Sequence, residues 1–320
     1  EQFETNDEWI TKRIGVKERR FVRYGEATSD MAVHAAEEAL ASSEHRKDEV
    51  EFIICATVTP DNLMTPPTSS LIQKRLGIPI RNKDGSLREV ETFDVTAACT
   101  SFMKALSCGC DMIRSGGYRK GLVIGSDVMS CAISWNDRAI FPILGDAAAC
   151  FALERADEAH DEMPVQSFYM GTDAEFADLI VTPHGGSRAP ITTKTLTDPF
   201  DQNHTIKMQG NAVFKEVVEL VPGEVIPNAL KKAGVPLDAV DVMIFHQANL
   251  RIIKAVQKRL KFNGIVFNNM EKYGNTTSAS VPLCFHEARV KGIIQPGMRV
   301  LLVAFGGGFT WGTTLVHYGR

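Results

Sequence analysis

The stretch Val50-Glu51-Phe52-Ile53-Ile54-Cys55-Ala56 is an apolar run with no polar alternation after Glu51. Such a run reads as a strand buried on both faces, the pattern of a sheet covered by helices. A helical pattern over 31–41 and a polar link precede it. The same order returns later: a helix over 225–233, the link Gly234-Val235-Pro236-Leu237-Asp238, then Val240-Asp241-Val242-Met243-Ile244-Phe245. Cys99 opens a helix that closes near Gly116-Gly117, and Asn275 precedes one that closes near Gly292. Two further apolar strands follow, Gly121-Leu122-Val123-Ile124-Gly125 and Val300-Leu301-Leu302-Val303-Ala304, each succeeded by a turn and another strand. One unit therefore occurs twice. The fold class is α/β, with two pseudo-symmetric halves packed as one body.

The halves are expected at 1–165 and 206–320, with 166–205 as connecting loops or a cap, because 155–205 is rich in Pro, Gly, Asp and Thr. The insert Arg81-Asn82-Lys83-Asp84-Gly85-Ser86 reads as an exposed hairpin or loop. A chain of 320 residues can bury a large core. Net charge is −4, which gives no global attraction to nucleic acid. No apolar run reaches membrane-span length and no signal peptide is visible, so a cytoplasmic protein with no membrane partner is expected. The opening without methionine suggests that residues precede Glu1. Seven cysteines, mostly inside apolar segments, suit reduced thiols better than a disulfide framework. Cys108 and Cys110 point to different helix faces with no histidine close in sequence, so no metal is expected.

The duplication has a chemical consequence. Cys99 and Asn275 occupy equivalent positions and are expected to face one another near the centre. A thiol before a helix feels the positive end of the macrodipole, which predicts a lowered pKa. His246 follows a buried strand, at the sheet edge where α/β proteins bind ligands. Taken singly, each feature has a plain alternative. Free cysteines are commonly buried and inert, a histidine after a strand can simply be satisfied, and Gly274-Asn275 is turn chemistry. The glycines 306–308 do not read as a phosphate loop, since Phe309 and Trp311 follow rather than Lys-Ser/Thr.

Four segments in order carry a family resemblance: Ala97-Ala98-Cys99, His246-Gln247-Ala248-Asn249-Leu250-Arg251, Tyr273-Gly274-Asn275-Thr276-Thr277-Ser278 and Phe305-Gly306-Gly307-Gly308-Phe309-Thr310-Trp311-Gly312. The chain resembles the β-ketoacyl-acyl-carrier-protein synthase III family of thiolase-like condensing enzymes, from Asn6 to the C-terminus. The resemblance implies a thiolase-like fold, a layered αβαβα body. It implies a decarboxylating Claisen condensation of an acyl-CoA primer, held on Cys99, with malonyl-acyl-carrier-protein, which initiates fatty acid synthesis. His246 and Asn275 are implied as donors to the enolate oxygen, and the backbone N–H groups of Cys99 and Gly307 as the oxyanion donors. No cofactor is implied, because acyl-CoA and the malonyl thioester are substrates.

By the same resemblance Trp9 and Arg138 sandwich the CoA adenine, Arg13 meets the phosphate end, and Gly210, Phe214 and Asn249 line the pantetheine tunnel. A staple at the N-terminus and a salt bridge to Asp137 are the structural alternatives for Trp9 and Arg138. Arg251, Lys254 and Lys258 fall on one helix stripe, with Arg259 adjacent and Lys215 as an addition. That stripe suits docking of an acidic acyl carrier protein. A homodimer is implied, with Glu91-Thr92-Phe93-Asp94-Val95 as an edge strand to be covered.

Three departures bear on the substrate. Alignment puts Thr65 where the family closes the acyl pocket with a residue from the partner, so a longer pocket is expected. Leu144 and the insert at 81–86 alter the same neighbourhood. Thr100-Ser101 replace smaller residues after the nucleophile. A specialised condensing enzyme of polyketide or secondary metabolism, taking medium or long primers, is the alternative. A degradative thiolase needs a second cysteine before the glycine turn, where this chain has Phe305. A non-catalytic CoA-binding protein is disfavoured by the intact Cys99, His246 and Asn275.

Overall fold

A computed structural model describes residues 6–43, 45–156, 165–193, 195 and 203–319. The chain opens with α1 (Asp7–Arg13) and α2 (Thr28–Ser42), followed by β1 (Phe52–Ala56), α3 (Thr68–Leu76) and β2 (Glu91–Val95). Next come α4 (Ser101–Arg114), β3 (Lys120–Asp127), β4 (Ala147–Glu154) and β5 (Val165–Thr172). The short strands β6 (Ile180–Val181) and β7 (Lys207–Met208) precede α5 (Gly210–Leu220). A π-helical turn over Val221–Val225 joins α5 to α6 (Ile226–Ala233). The chain closes with β8 (Val242–Phe245), α7 (Leu250–Leu260), β9 (Ile265–Phe267), α8 (Met270–Tyr273), α9 (Ser280–Val290), β10 (Arg299–Gly306) and β11 (Thr310–His317).

The duplication is visible in the sheets. One runs β2-β1-β3-β4 and the other β9-β8-β10-β11, with β5 added beside β11. In each, the first three strands are parallel and the fourth returns antiparallel. The strand read first in the sequence explains the layering. Phe52, Ile54 and Ala56 of β1 face a central layer, where they meet Phe102 and Leu106 of α4 and Phe285 of α9. Ile53 and Cys55 face outward into a layer with Ala36 of α2 and Ile72 of α3. The other half divides its strand the same way: Val242 and Ile244 join the central core, whereas Met243 and Phe245 pack under α5, α6 and α7. Helices α4 and α9 thus lie between two sheets, with helices outside each. This is the αβαβα order, and burial on both faces is why neither strand shows polar alternation.

Shape sets the register of the first sheet. Phe52 pairs directly with Gly121. A Cβ at Gly121 would come within 2.3 Å of the Phe52 ring, and one at Gly109 of α4 within 3.3 Å. The ring occupies the space that two glycines leave.

The exposed insert forms as expected: Arg81 bridges Leu87 and the Asn82 N–H donates to the Ser86 carbonyl at 2.9 Å. The expected linker 166–205 is corrected at its start. Residues up to Thr172 complete β5, which pairs along β11 and belongs to the C-terminal sheet. Residues 157–164, 194 and 196–202 of the loop-rich stretch lie outside the described residues.

Candidate active site

Cys99 stands on a sharp turn between β2 and α4. Ala98, just before it, has φ +48°, a left-handed conformation that costs a side-chain-bearing residue ~1–3 kcal/mol. The residues after the nucleophile brace that turn. Ser101 Oγ donates to the Ala98 carbonyl at 2.6 Å and accepts from the Ala97 N–H at 2.8 Å. Thr100 Oγ1 lies 2.7 Å from the Ala97 carbonyl and 2.9 Å from Thr310 Oγ1, across to the other half. The hydroxyls that read as a departure in the sequence are therefore the struts of the elbow.

The glycine turn closes on this elbow. A Cβ on Gly306 would come 2.8 Å from Cys99 Cβ and 2.9 Å from its backbone nitrogen. One on Gly307 would meet Ala98 Cβ at 3.7 Å. Phe305, one residue earlier, packs edge-on against the His246 ring at 5.6 Å between centroids. His246 follows β8 and is tied to β10, its N–H donating to the Val303 carbonyl at 2.7 Å. Cys99, the glycine turn, Phe305 and His246 thus form one continuous set of contacts.

His246 is 1% exposed and its Nδ1 lies 2.6 Å from Ser280 Oγ, at the start of α9. Burial lowers its pKa to about 3, so the imidazole is neutral at physiological pH. Asn275 is buried beside Leu144, with which it forms an isolated bridge. The Thr277 N–H donates to Asn275 Oδ1 at 2.9 Å. Since a backbone N–H only donates, the oxygen is fixed there and the NH2 is the end left for other partners. A 3-10 turn over Thr277–Ala279 separates Asn275 from α9, so it does not start the helix directly as Cys99 nearly does.

The expectation of an acidic thiol is corrected. Burial, followed by the charge of Asp127, pushes the Cys99 thiol up to about 12. The site is deep enough for the cost of dehydrating a thiolate to outweigh the field of the helix end. At neutral pH the resting pair is a thiol and a neutral imidazole.

The outlying residues fall into two groups. The turn after α1 docks on α7: Leu250 N–H donates to the Ile14 carbonyl at 3.0 Å, and Gly15 (φ +94°) lies so close that a Cβ would strike Leu250 at 2.5 Å. The docked turn sets the C-terminal end of α1 beside the start of α7, where Asn249 caps the helix by accepting from the Arg251 N–H at 2.8 Å. Trp9 is 41% exposed, and Arg138 lies on the loop after β3. Gly210 and Lys215 belong to α5, and the Arg251 guanidinium stacks over Phe214 at 5.7 Å. Lys254, Lys258 and Arg259 continue the basic face of α7. Thr65 does not join this chain's own Cys99 elbow. It is exposed on the loop before α3, beside Leu63 and Met64, which are 82% and 92% exposed.

Sequence reasoning passed over Ser280, Asp127 and the ring of Phe305. The available signal was polarity out of place: Asp127 is the one charged residue in the run 121–136, and Ser280 precedes the apolar stretch Val281-Pro282-Leu283-Cys284-Phe285.

Fold and site together define a thiolase-like condensing enzyme. Two family models match, 3-oxoacyl-[acyl-carrier-protein (ACP)] synthase III over residues 93–174 and its C-terminal counterpart over 230–318. A β-ketoacyl-[acyl-carrier-protein] synthase III of Caldanaerobacter subterraneus is 36% identical over 318 residues, 99% of this chain and 91% of the relative. The crystal structure of 3-oxoacyl-[acyl-carrier-protein] synthase III from Aquifex aeolicus superposes with a TM-score of 0.84 at 35% identity, covering 98% and 92% of the two chains. The priming β-ketosynthase of the R1128 polyketide pathway superposes with a TM-score of 0.87 at 27% identity, covering 100% and 90%. The chain belongs to the β-ketoacyl-acyl-carrier-protein synthase III family.

Proposed function

We propose that Cys99, His246 and Asn275 carry out a two-step condensation, acyl transfer from acyl-CoA followed by decarboxylative attack of a malonyl thioester. In the first step the Cys99 sulfur bonds to the acyl carbonyl carbon, the thioester C–S bond breaks, and the thiol proton leaves on the CoA sulfur. Negative charge builds on the carbonyl oxygen, and the N–H groups of Cys99 and Gly307 are its donors. In the second step malonyl-acyl-carrier-protein loses CO2 and the electron pair becomes an enolate. A neutral His246 and the Asn275 NH2 offer it two hydrogen bonds without adding a competing charge. The enolate carbon attacks the acyl-Cys99 carbonyl, the C–S bond breaks, and the released thiolate takes a proton from solvent. A thiol with a pKa of about 12 is readily re-protonated. The observation that carries this reading is the packing of Gly306 on Cys99 while Phe305 packs on His246.

The polar partners already placed define the donor ends. Asn275 Oδ1 is taken by Thr277, and His246 Nδ1 by Ser280, which leaves Nδ2 and Nε2 for the enolate. Incubation with acyl-CoA, then mass analysis of the Cys99 peptide, tests the first step. Release of CO2 and 3-oxoacyl product from malonyl-acyl-carrier-protein tests the second. Cys99→Ala turning over at the wild-type rate overturns the assignment.

Trp9, Arg13, Arg138, Gly210, Phe214 and Asn249 are the proposed CoA contacts, supported by the docking of the α1 turn on α7. Lys215, Arg251, Lys254, Lys258 and Arg259 are the proposed docking face for the acidic carrier protein. Initiation of fatty acid synthesis is supported by curated β-ketoacyl-[acyl-carrier-protein] synthase III relatives that are 36–37% identical over nearly the whole chain. A homodimer is supported by β2 at an open sheet edge and by the exposed Leu63-Met64-Thr65 tip, which suits insertion into a partner's acyl pocket. Among the described residues no helix is long and apolar enough to cross a membrane. Seven free cysteines support a reducing, cytoplasmic setting.

A further inference from the structure

Asp127 closes β3 and is fully buried. Its Oδ1 accepts from the Val58 N–H at 2.7 Å and the Thr57 hydroxyl at 3.0 Å, with Thr59 Oγ1 at 3.4 Å. Its Oδ2 accepts from the Ser278 N–H at 2.8 Å. Thr57 and Val58 follow β1 of the N-terminal half. Ser278 belongs to the C-terminal half, three residues after Asn275 and two before Ser280. Two backbone N–H groups, one from each half, therefore meet opposite oxygens of one side chain. Only a group that accepts at both ends satisfies them, which an ionised carboxylate does and an amide does not. Gly125, on the same face of β3, admits the loop: a Cβ there would come within 2.6 Å of the Ser278 carbonyl oxygen.

We propose that Asp127 is a positioning residue for the condensation, a carboxylate bridge that holds the loop from Asn275 to Ser280 against the nucleophile's half. The loop supplies one enolate donor and the hydroxyl that orients the other. This inference rests on the roles given above to His246 and Asn275. The bridge also places a negative charge that Cys55, Cys99 and Cys131 feel, and all three thiols are raised, in each case first by burial. Burial likewise raises the Asp127 carboxyl, while its donors from Ser278, Val58 and Thr57 pull it back toward the ionised form. The position therefore couples two properties, the fit of the decarboxylation donors and the proton affinity of the nucleophile.

The test separates them on the full-length protein. In Asp127→Asn one N–H loses its acceptor. Decarboxylation of malonyl-acyl-carrier-protein falls by ~10²-fold, whereas acylation of Cys99 by acyl-CoA falls by only a few-fold. The pH profile of Cys99 alkylation by iodoacetamide moves to lower pH, because a like charge has gone. Equal losses in both half-reactions with an unmoved alkylation profile mean a merely structural role and overturn the proposal, as does no change in either. If that variant does not fold, Thr57→Val removes one donor from Oδ1. The carboxylate then holds its proton more tightly, and the acid limb of decarboxylation moves to higher pH; an unmoved limb overturns the proposal. A wild-type protein that releases no CO2 overturns the functional reading and this one with it. An active wild type with an indifferent Asp127→Asn overturns this one alone.

Discussion

Ser280 Oγ lies 2.6 Å from His246 Nδ1, and both residues are 1% exposed. If the ring donated from Nδ1, the buried hydroxyl proton would need another acceptor, and Ser280 Oγ makes no second bond among the described residues. With the hydroxyl donating, Nδ1 accepts and Nε2 carries the ring proton. Ser280→Ala therefore releases the tautomer. We expect decarboxylation to drop ~10-fold, the worth of about one hydrogen bond, with Cys99 acylation nearly intact. Nitrogen-15 shifts of His246 report the tautomer directly, and an unchanged Nε2-protonated ring in Ser280→Ala would contradict the assignment.

The thiol at Cys99 sets a pH dependence for its chemistry. With its pKa pushed up to about 12, the thiolate fraction of the free enzyme keeps rising through the alkaline range. Alkylation of Cys99 should thus show no plateau between about pH 7 and about pH 10, a window well below the raised value. A plateau near neutrality would contradict it.

Stability follows the same groups, with signs that can be worked out. Partly buried Cys99 and buried Cys110, raised to about 12 and about 11, keep protons that the unfolded chain loses near its ordinary thiol value of about 8.5. The native state then binds more protons, so stability falls as pH rises from about 9 toward about 12. His246 works at the acid side. Its pKa of about 3 means that the unfolded chain binds a proton first, and stability falls as pH drops from about 6.5 toward about 3. Denaturant titrations across pH check both slopes, and Cys110→Ala should flatten part of the alkaline one.

Gly306 permits no side chain. Gly306→Ala places a Cβ 2.8 Å from that of Cys99, between backbones that cannot yield independently. We expect a stability loss of ~1–3 kcal/mol and a fall of at least ~10²-fold in Cys99 acylation, because the nucleophile's N–H is displaced with it. Mass analysis of the acylated peptide at a single time point reads this out, and wild-type acylation in the variant would refute it.

Arg251 tests the docking face. It is exposed on α7 and stacks over Phe214. Arg251→Glu should raise KM for the carrier-protein substrate by ~10-fold or more while the matching CoA thioester changes little. Equal losses with both donors would assign Arg251 to the pantetheine path instead.

The fold was legible where burial wrote itself into composition. Phe52–Ala56 and Val242–Phe245 lack polar alternation because each divides its side chains between two apolar layers, and that is visible in the letters. β5 was not legible. It lies at a sheet edge with its residues only partly buried, and Gln166 and Ser167 give its start the polar look of the loop-rich stretch around it. The three chemical residues stood out because their types converge in four ordered motifs. The state of the thiol did not, since depth and a carboxylate 28 positions away in sequence decide it. Asp127 and Ser280 stayed hidden for a related reason: their partners are backbone and ring atoms from the other half, or from another strand, and sequence spacing does not register those meetings.

Phe52, Gly109 and Gly121 share one parcel of space. Any relative that gains a methyl at either glycine must give up volume at the ring, so the three positions should vary as a set while their total bulk stays constant. Because both faces of that strand are greasy, a slipped alignment of the strands would bury just as much oil. What forbids it is that the ring would then collide with Val123 instead of finding its vacancy, and the molecule is kept in step by fit where solubility alone would tolerate error.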